Sequence, residues 1–311
     1  MIDLTTLFLV LLFAIIVAAS FAPIEALGWW AGWFSDEEEV SGIDVAECDK
    51  SCFVVFLTGI HSVSEETYAR REIKLLDNLK KRLENCEIIE VFPYSASNRN
   101  LTSDRFSAWF WKTALKLKMN KLALAGLLIN IRNIFQVTVS ADSRYGPIYN
   151  QGVALSIYKH LLSHGYQKAK IAPIIIIGYS GGGQIAVGAA GPLYELTKAE
   201  INVISLGGII ASEHSLLKIK ALYHLIGEKD RVQKLGQIFF PGRWPIIRYS
   251  SWNRAKAKGV IKFISMGPVD HTGKNGYLDG KAKLPDGRAF FEQSVDEITR
   301  IVNEIVSPES K

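Results

Sequence analysis

A serine framed by glycines is the first group in this sequence that could carry out chemistry. Ser180 lies between Gly178 and Gly182, directly after the apolar run 174–177. Small residues on both sides are needed where a strand turns sharply into a helix, because a Cβ would collide with neighbouring backbone. Such a turn exposes the serine hydroxyl and points backbone N–H groups at the reacting oxygen. The spacing therefore favours nucleophilic catalysis by Ser180.

Two other glycine-rich interpretations of this stretch fit less well. A phosphate-binding P-loop requires Lys and then Ser or Thr after Gly183, but the sequence continues with Gln184. A dinucleotide-binding loop would be followed by an acidic residue at the end of the next strand. That strand, predicted over 201–206, ends in a pair of glycines. A catalytic serine remains the favoured interpretation.

The proposed serine needs a base, and the base needs an acid that orients it. Asp230 follows the predicted strand 220–226, and His271 follows the predicted strand 260–266. Because the carboxyl ends of parallel strands meet at one edge of a sheet, both side chains are expected near Ser180. His271 would be the general base and Asp230 the orienting acid.

Two further ionisable residues keep alternatives open. Glu228 lies two positions before Asp230 and would serve as the acid if the loop were offset. The non-catalytic alternative for this loop is a solvated charge cluster. His61 follows the first predicted strand, and its position suits the loop beside the nucleophile better than the role of the base.

The elements that must position these residues alternate between strands and helices. Unbroken apolar runs predict strands, and apolar residues at helical spacing predict helices. Apolar strands without polar alternation are typical of a parallel sheet that helices cover on both faces. The predicted strands lie at 52–57, 87–92, 171–177, 201–206, 220–226 and 260–266, and the predicted helices at 64–85, 151–165 and 291–305.

The order of the three candidate residues, each after its own strand, resembles the α/β-hydrolase superfamily over residues 50–306. The residues that follow Ser180 are similar to the turn of lipases and esterases, and Gly227-x-x-Asp230 is similar to the acid turn of that superfamily. The resemblance implies an α/β-hydrolase fold, an activity on esters and catalytic roles for Ser180, Asp230 and His271.

The same resemblance implies an oxyanion hole. In this superfamily the loop after the first predicted strand supplies one donor, which makes the backbone N–H groups of Ile60 and Gly181 the expected pair. The sequence departs from the family in two respects. Thr58-Gly59 replaces the usual His-Gly pair, and the first antiparallel strands of the fold have no counterpart before Cys52.

The first residues predict a membrane anchor. Residues 4–22 contain no charged side chain, and a helix of this length at about 1.5 Å per residue nearly matches a hydrocarbon core of ~30 Å. Trp29, Trp30 and Trp33 follow, as in an interfacial aromatic belt. A cleaved signal peptide is the alternative, since residues 20–22 could form a cleavage site.

The chain is therefore divided into an anchor at 1–34, an acidic linker at 35–51 and a hydrolase-like domain at 52–311. The acidic linker slightly favours a non-cytoplasmic position for that domain. An insertion at about 93–147 interrupts the sheet and is expected to form a helical cap. Its residues 105–134 mix aromatic and basic side chains, which suits a membrane surface, although a packed cap is the alternative.

A second stretch has a character similar to that of the cap. Residues 239–249 combine aromatic, aliphatic and basic side chains beside the Asp230 loop. Ordinary packing of an apolar loop on the sheet is the alternative explanation.

Composition limits the remaining functions. The chain of 311 residues can form one large domain, and its net charge of +5 does not require a nucleic-acid partner. The cysteine spacing predicts no metal site, and no cofactor motif is expected. Cys52 and Cys86 open consecutive strands, so either a disulfide or two buried thiols is possible.

These observations predict a membrane-anchored serine hydrolase that cleaves esters of lipids or long acyl chains through an acyl-enzyme. Three alternatives remain: a tethered hydrolase of soluble esters, thioesters or peptides, an acyltransferase, and a catalytically silent hydrolase scaffold that binds partners. The sequence does not predict an oligomeric state.

Overall fold

One parallel sheet organises the fold. The computed structural model describes residues 48–61, 69–94, 123–170 and 172–307, together with isolated positions among the first 31 residues. The sheet has six strands in the order β2-β1-β3-β4-β5-β6, and every neighbouring pair is parallel. The strands are β1 (Cys52–Leu57), β2 (Cys86–Val91), β3 (Ile174–Tyr179), β4 (Ile201–Leu206), β5 (Ala221–Ile226) and β6 (Ile261–Ser265). The predicted α/β class with a mostly parallel sheet is confirmed.

The central strands are mostly apolar because both faces of the sheet are buried. Along β1, Phe53 and Val55 contribute to one hydrophobic core, whereas Val54 and Phe56 contribute to the other. Successive side chains of a strand point to opposite faces, so a strand buried on both faces needs an unbroken apolar run.

Helices supply the other half of each core. Leu75 of α1 and Ile298 of α7 pack in one core, and Ile129 of α2, Val153 of α3 and Ile185 of α4 pack in the other. The sheet is therefore covered on both faces. The helices are α1 (Arg70–Arg82), α2 (Ala123–Ala141), α3 (Gly146–Ser163), α4 (Gly181–Thr197), α5 (Arg231–Phe239), α6 (Ser251–Ala257) and α7 (Phe290–Val306).

The strand order reverses between β1 and β3. The chain passes from β1 outward to β2 and then crosses back to β3 on the other side of β1. In open α/β sheets, ligands bind outside the carboxyl ends of the strands where the strand order reverses in this way. Residues 58–61 follow β1 and Ser180 follows β3, so both lie at this point.

Two helix boundaries differ from those that the sequence suggests. The helix expected from 64 begins at Arg70, because Ala69 has an extended backbone and its N–H donates to the Glu72 carboxylate at 3.3 Å. Residues 62–68 lie outside the described part of the chain. The helix expected from 151 begins at Gly146, where Pro147 occupies the first turn, a position that proline favours.

The predicted cap insertion is described only in its second half. Helix α2 lies within it, whereas residues 95–122 are not described. Arg132, one of the basic residues expected at the membrane surface, is buried on α2. Its guanidinium donates to the carbonyl oxygen of Tyr94 at 2.6 Å. A guanidinium held inside the core does not reach lipid headgroups, so Arg132 itself belongs to the packed interior, and the expectation for residues 105–134 as a whole stays a prediction.

Within the described ranges, no helix is both long enough and apolar enough to cross a membrane. Residues 4–22, the expected anchor, lie almost entirely outside those ranges, and so do the three tryptophans of the expected aromatic belt and most of the linker at 35–51.

A disulfide joins the first residues of β1 and β2. Cys52 and Cys86 are partners in the sheet register and are covalently bonded, which decides between the two alternatives left open above. The bond closes a loop with a sequence separation of 34. A chain-entropy model gives such a loop a stabilisation of about 4 kcal/mol. The bond lies at the amino-terminal edge of the sheet, away from Ser180.

Candidate active site

The turn that carries Ser180 is strained. Ser180 has φ 53° and ψ −121°, a conformation that costs on the order of 1–3 kcal/mol for a residue with a Cβ. The turn is fixed from both sides, because the Ser180 N–H donates to the carbonyl oxygen of Leu206 and its own carbonyl accepts from Gly183, each at 3.0 Å. This backbone conformation places the Ser180 hydroxyl above the carboxyl end of β3.

The two glycines beside the serine allow close backbone packing. A Cβ at Gly178 would lie 2.5 Å from the carbonyl oxygen of Gly182, and a Cβ at Gly182 would lie 2.5 Å from that of Leu57. The steric reason inferred from the sequence is therefore present at both positions.

Ser180, His271 and Asp230 form one hydrogen-bonded chain. The Ser180 Oγ lies 2.8 Å from Nε2 of His271, and Nδ1 of His271 lies 2.9 Å from Oδ2 of Asp230. With Nδ1–H donated to the carboxylate, Nε2 is the ring nitrogen that accepts the serine proton. Ser180 and His271 are each 7% exposed and Asp230 is fully buried. The geometry is that of a nucleophile, a base and an orienting acid.

Asp230 has more than one role in the structure. Its Oδ1 caps helix α5 by accepting from the backbone N–H groups of Val232 and Gln233 at 2.9 and 3.0 Å. Its Oδ2 accepts from His271 and from the hydroxyl of Tyr277, also at 2.9 Å. Burial raises the pKa of Asp230, but these hydrogen bonds outweigh burial and lower it overall. The carboxylate is therefore ionised at neutral pH.

Tyr277 was not found by sequence reasoning. Its hydroxyl donates to Asp230 and accepts from the Gly227 N–H at 2.7 Å. Burial raises the pKa of the phenol, and the Asp230 charge raises it further, so the hydroxyl stays protonated and can donate. Tyr277 lies in an irregular segment between β6 and α7, where no periodic pattern marks it.

The acid loop and the histidine loop are held together by their backbones. The N–H of Glu228 donates to the carbonyl of Gly267 at 2.8 Å, and that of Lys229 donates to the carbonyl of Val269 at 3.2 Å. The side chain of Glu228 is exposed, and its Oε1 accepts from the Ser265 hydroxyl at 3.5 Å. Of the two candidate acids, Asp230 is therefore the one that contacts the imidazole.

A buried glutamate holds the loop after β1. Glu72 of α1 is 1% exposed and accepts from the Thr58 hydroxyl at 2.8 Å and from the Gly59 N–H at 3.2 Å. It also contacts Nε2 of His61 at 3.1 Å. His61 is therefore engaged by Glu72. The sequence offered no signal for Glu72, which lies in an amphipathic helix.

The two expected oxyanion donors lie on facing segments. A Cβ at Gly181 would lie 2.7 Å from Cγ2 of Ile60, so the loop and the serine turn are in contact. Asn133 fixes the Ile60 carbonyl at 2.6 Å. Within the part of the chain that the structure describes, the N–H groups of Ile60 and Gly181 have no hydrogen-bond acceptor. Both are available to a developing oxyanion.

His224 is a core residue. It is fully buried on β5, lies 3.2 Å from the Ser205 hydroxyl and contacts the ring of Trp252. Burial lowers the pKa of His224 to about 3, which keeps the ring neutral.

Two clefts lie outside the triad. One of about 480 Å³ is lined by Arg71 and Asn275, and one of about 540 Å³ lies along α3 and α4. No triad side chain lines either of them. Among the residues that the structure describes, no group of three or more His, Cys, Asp or Glu side chains could hold a metal ion.

Fold and site together define the class of this protein. It is an α/β protein with a serine, a histidine and an aspartate hydrogen-bonded at the carboxyl edge of its sheet. No known family matches the sequence, and no curated protein matches it. Among solved structures, the chain is similar to one described as "the putative cell surface hydrolase from Lactobacillus plantarum WCFS1", with a TM-score of 0.35 and 13% identity. The alignment covers 85% of this chain and 94% of that protein. A TM-score this low carries no functional argument, so function rests on the geometry above.

Proposed function

We propose that this chain is a serine hydrolase of the α/β-hydrolase type that cleaves carboxylic esters, with lipids or long acyl chains as substrates. The observation that carries the proposal is the continuous hydrogen-bonded chain from Ser180 through His271 to Asp230, with distances of 2.8 and 2.9 Å. Three side chains far apart in sequence rarely converge in this order without a catalytic use.

Acylation is the first half of the proposed reaction. The Ser180 Oγ forms a bond to the ester carbonyl carbon while its proton moves to Nε2 of His271. The carbonyl oxygen becomes an oxyanion. When the tetrahedral intermediate collapses, the carbon–oxygen bond to the alcohol breaks and the imidazolium returns its proton to the departing alcohol. An acyl-enzyme on Ser180 remains.

Deacylation repeats the sequence with water. His271 removes a proton from a water molecule as its oxygen attacks the acyl carbon, and the proton then passes to Oγ as the ester bond breaks. The carboxylic acid leaves and the free hydroxyl is restored. The ionised Asp230 stabilises the imidazolium in both halves through Nδ1.

The backbone N–H groups of Ile60 and Gly181 are the proposed oxyanion donors. Each is worth about 2.7–4 kcal/mol in a transition state of this kind. Gly59 is not the donor from this loop, because its N–H is already donated to Glu72. The proposal therefore needs the loop held in the position that Glu72 gives it.

The sequence supports a membrane location, and with it a lipid substrate, while one structural feature supports the side of the membrane on which the domain lies. Residues 4–22 have the length and composition of a membrane anchor. The disulfide between Cys52 and Cys86 fits an oxidising compartment, and thus a domain on the non-cytoplasmic side.

The alternative functions share the site but differ in acceptor or substrate. A tethered hydrolase of soluble esters would show no preference for long acyl chains and no response to vesicles. An acyltransferase would transfer the acyl group to an added alcohol instead of to water. The buried and complete triad favours an active enzyme over a silent scaffold.

The first test is labelling with a fluorophosphonate. The wild-type protein is expected to be labelled and to hydrolyse p-nitrophenyl esters, whereas Ser180→Ala should lose labelling and at least ~10⁴-fold in kcat/KM. Ser163→Ala, which removes an exposed hydroxyl at the end of α3, is the matched control. Full activity in Ser180→Ala, with folding verified by circular dichroism, would refute the proposal.

A further inference from the structure

The segment between residues 238 and 249 displays large apolar side chains to solvent. Phe239, Ile246 and Tyr249 are 67%, 84% and 92% exposed. Single exposed apolar side chains are ordinary, whereas a group of them marks an interaction site, and six lie within these twelve residues. We name this group the 238–249 surface; its members are Ile238, Phe239, Trp244, Ile246, Ile247 and Tyr249.

The backbone beneath this surface is held by polar contacts. The indole N–H of Trp244 donates to the carbonyl of Gln237 at 2.8 Å. The Asn253 amide donates to the carbonyls of Trp244 and Ile247 at 2.8 and 2.9 Å. The apolar side chains are therefore presented by a fixed scaffold.

A buried arginine anchors the same segment. Arg243 is 7% exposed, its guanidinium stacks 3.9 Å from the ring centre of Trp252, and it donates to the carbonyl of Ile210 at 3.2 Å. A turn that is attached to the core by Arg243 carries its neighbouring apolar side chains outward.

Charge identifies the partner. Residues 231–269 contain eight Lys and Arg and no Asp or Glu, and because the whole chain has a net charge of +5, the rest of the protein is net acidic. Arg231, Lys234 and Arg248 are exposed within or beside the surface. Exposed apolar side chains among basic ones suit a bilayer with anionic headgroups; a nucleic acid would match the charge but not the Phe and Ile side chains.

The surface is joined directly to the site. Helix α5 begins at Arg231, next to Asp230, which caps it. Ile238 lies about 10 Å along that helix at 1.5 Å per residue. We propose that the 238–249 surface docks on a bilayer that contains anionic lipid, with Phe239, Ile246 and Tyr249 in the headgroup region. The inference rests on the proposed function, because it names the surface through which the enzyme meets lipid substrate.

The test uses the full chain and a fluorophore that responds to polarity. In a Cys48→Ser background, the dye is attached at Ile246→Cys or, as the matched control, at Lys168→Cys, which lies at the opposite edge of the sheet. Vesicles contain phosphatidylcholine alone or with phosphatidylglycerol. Both proteins carry the same residues 4–22, so a difference between the two labels cannot come from that segment.

The expected result is a blue shift and quenching by headgroup-region doxyl lipid at position 246 only, stronger with phosphatidylglycerol. Lys234→Glu with Arg248→Glu should weaken the anionic-vesicle response by on the order of tenfold or more. Lys168→Glu with Lys170→Glu is the control for that pair.

Three outcomes overturn the inference: no change at 246, an equal change at 246 and 168, or a change produced by an oligonucleotide or by protein concentration without lipid. The Ser180→Ala form is expected to dock normally. Absence of docking with intact fluorophosphonate labelling therefore rejects this surface and leaves the hydrolase standing, whereas docking without labelling rejects the hydrolase alone.

Discussion

Two buried carboxylates lie on either side of Ser180, and each contacts a histidine. Asp230 follows β5 and contacts Nδ1 of His271, whereas Glu72 lies beside the end of β1 and contacts Nε2 of His61. Among the described residues, each carboxylate has four hydrogen-bond partners. The two carboxylate–histidine pairs are alike in residue type, but their roles differ.

The difference lies in the groups to which each carboxylate–histidine pair is joined. Nε2 of His271 faces the serine, so the Asp230 pair can move a proton. Nε2 of His61 is occupied by Glu72, and the other partners of Glu72 are the backbone and hydroxyl of its loop. We infer that Asp230 serves proton transfer and Glu72 serves geometry, which the following variants can separate.

The largest effect is expected from Asp230→Asn. An amide can present its N–H₂ group to the imidazole and so favour the tautomer that cannot accept the serine proton, and it cannot stabilise an imidazolium. We expect kcat/KM to fall by about 10⁴-fold, measured with a soluble ester. Glu228→Gln, which removes the neighbouring exposed carboxylate, should change kcat/KM less than twofold. A comparable loss of kcat/KM in Glu228→Gln would show that Asp230 is not the orienting acid.

Glu72→Gln should have the next largest effect. Loss of the acceptor for the Gly59 N–H lets the loop shift, and one misplaced oxyanion donor costs about 10²–10³-fold in kcat. Because proton transfer is intact, the pH profile of kcat/KM should keep its shape while its height falls. Glu84→Gln is the control, because it removes an exposed carboxylate just after the end of α1. A displaced pH profile would mean that Glu72 takes part in proton transfer.

Tyr277→Phe removes one donor from Asp230 and the acceptor of the Gly227 N–H. A lost hydrogen bond to a charged group costs about 1.5–3 kcal/mol, part of which falls on stability, so we expect kcat/KM to fall on the order of tenfold. Thermal unfolding of the same variant separates the two contributions. Unchanged kcat/KM with a lower melting temperature would make Tyr277 a structural residue only.

The smallest effect concerns a third carboxylate, that of Glu213, whose one hydrogen-bond partner among the described residues is Gln184. Burial raises the pKa of Glu213 to about 7, although a hydrogen bond from the Gln184 amide lowers it. An acid whose folded pKa lies above its unfolded value of 4.5 loses stabilisation as pH rises from 4.5 to 7, because only the unfolded state is then ionised.

Glu213→Gln should therefore unfold with a free energy that no longer falls over this pH range. At pH 8 the gain is expected to be on the order of 1 kcal/mol, since the side chain keeps some contact with water. Denaturant melts at pH 5 and pH 8 measure it, with His214→Gln as the exposed neighbour control. A pH dependence equal to that of the wild type would show that this carboxylate is not desolvated.

The central strands were predictable from sequence because burial on both faces favours apolar runs. The order Ser180, Asp230, His271 was predictable because each residue lies in the loop or turn after such a run, and parallel strands end at one edge. Glu72 was not predictable, since a glutamate in an amphipathic helix is normally solvated and only the fold of residues 58–61 buries it. The exposure of residues 239–249 was equally undetermined, because apolar side chains can also pack on a sheet.

Asp230 joins helix α5 to the imidazole of His271. One oxygen is fixed by the first turn of α5 and the other by the imidazole. The carboxylate thus couples the position of α5 to that of the imidazole. A rotation of α5 about its axis would draw the base out of line with the serine. A ligand or substitution that moves the first turn of α5 would therefore change the position of the imidazole relative to the hydroxyl of Ser180.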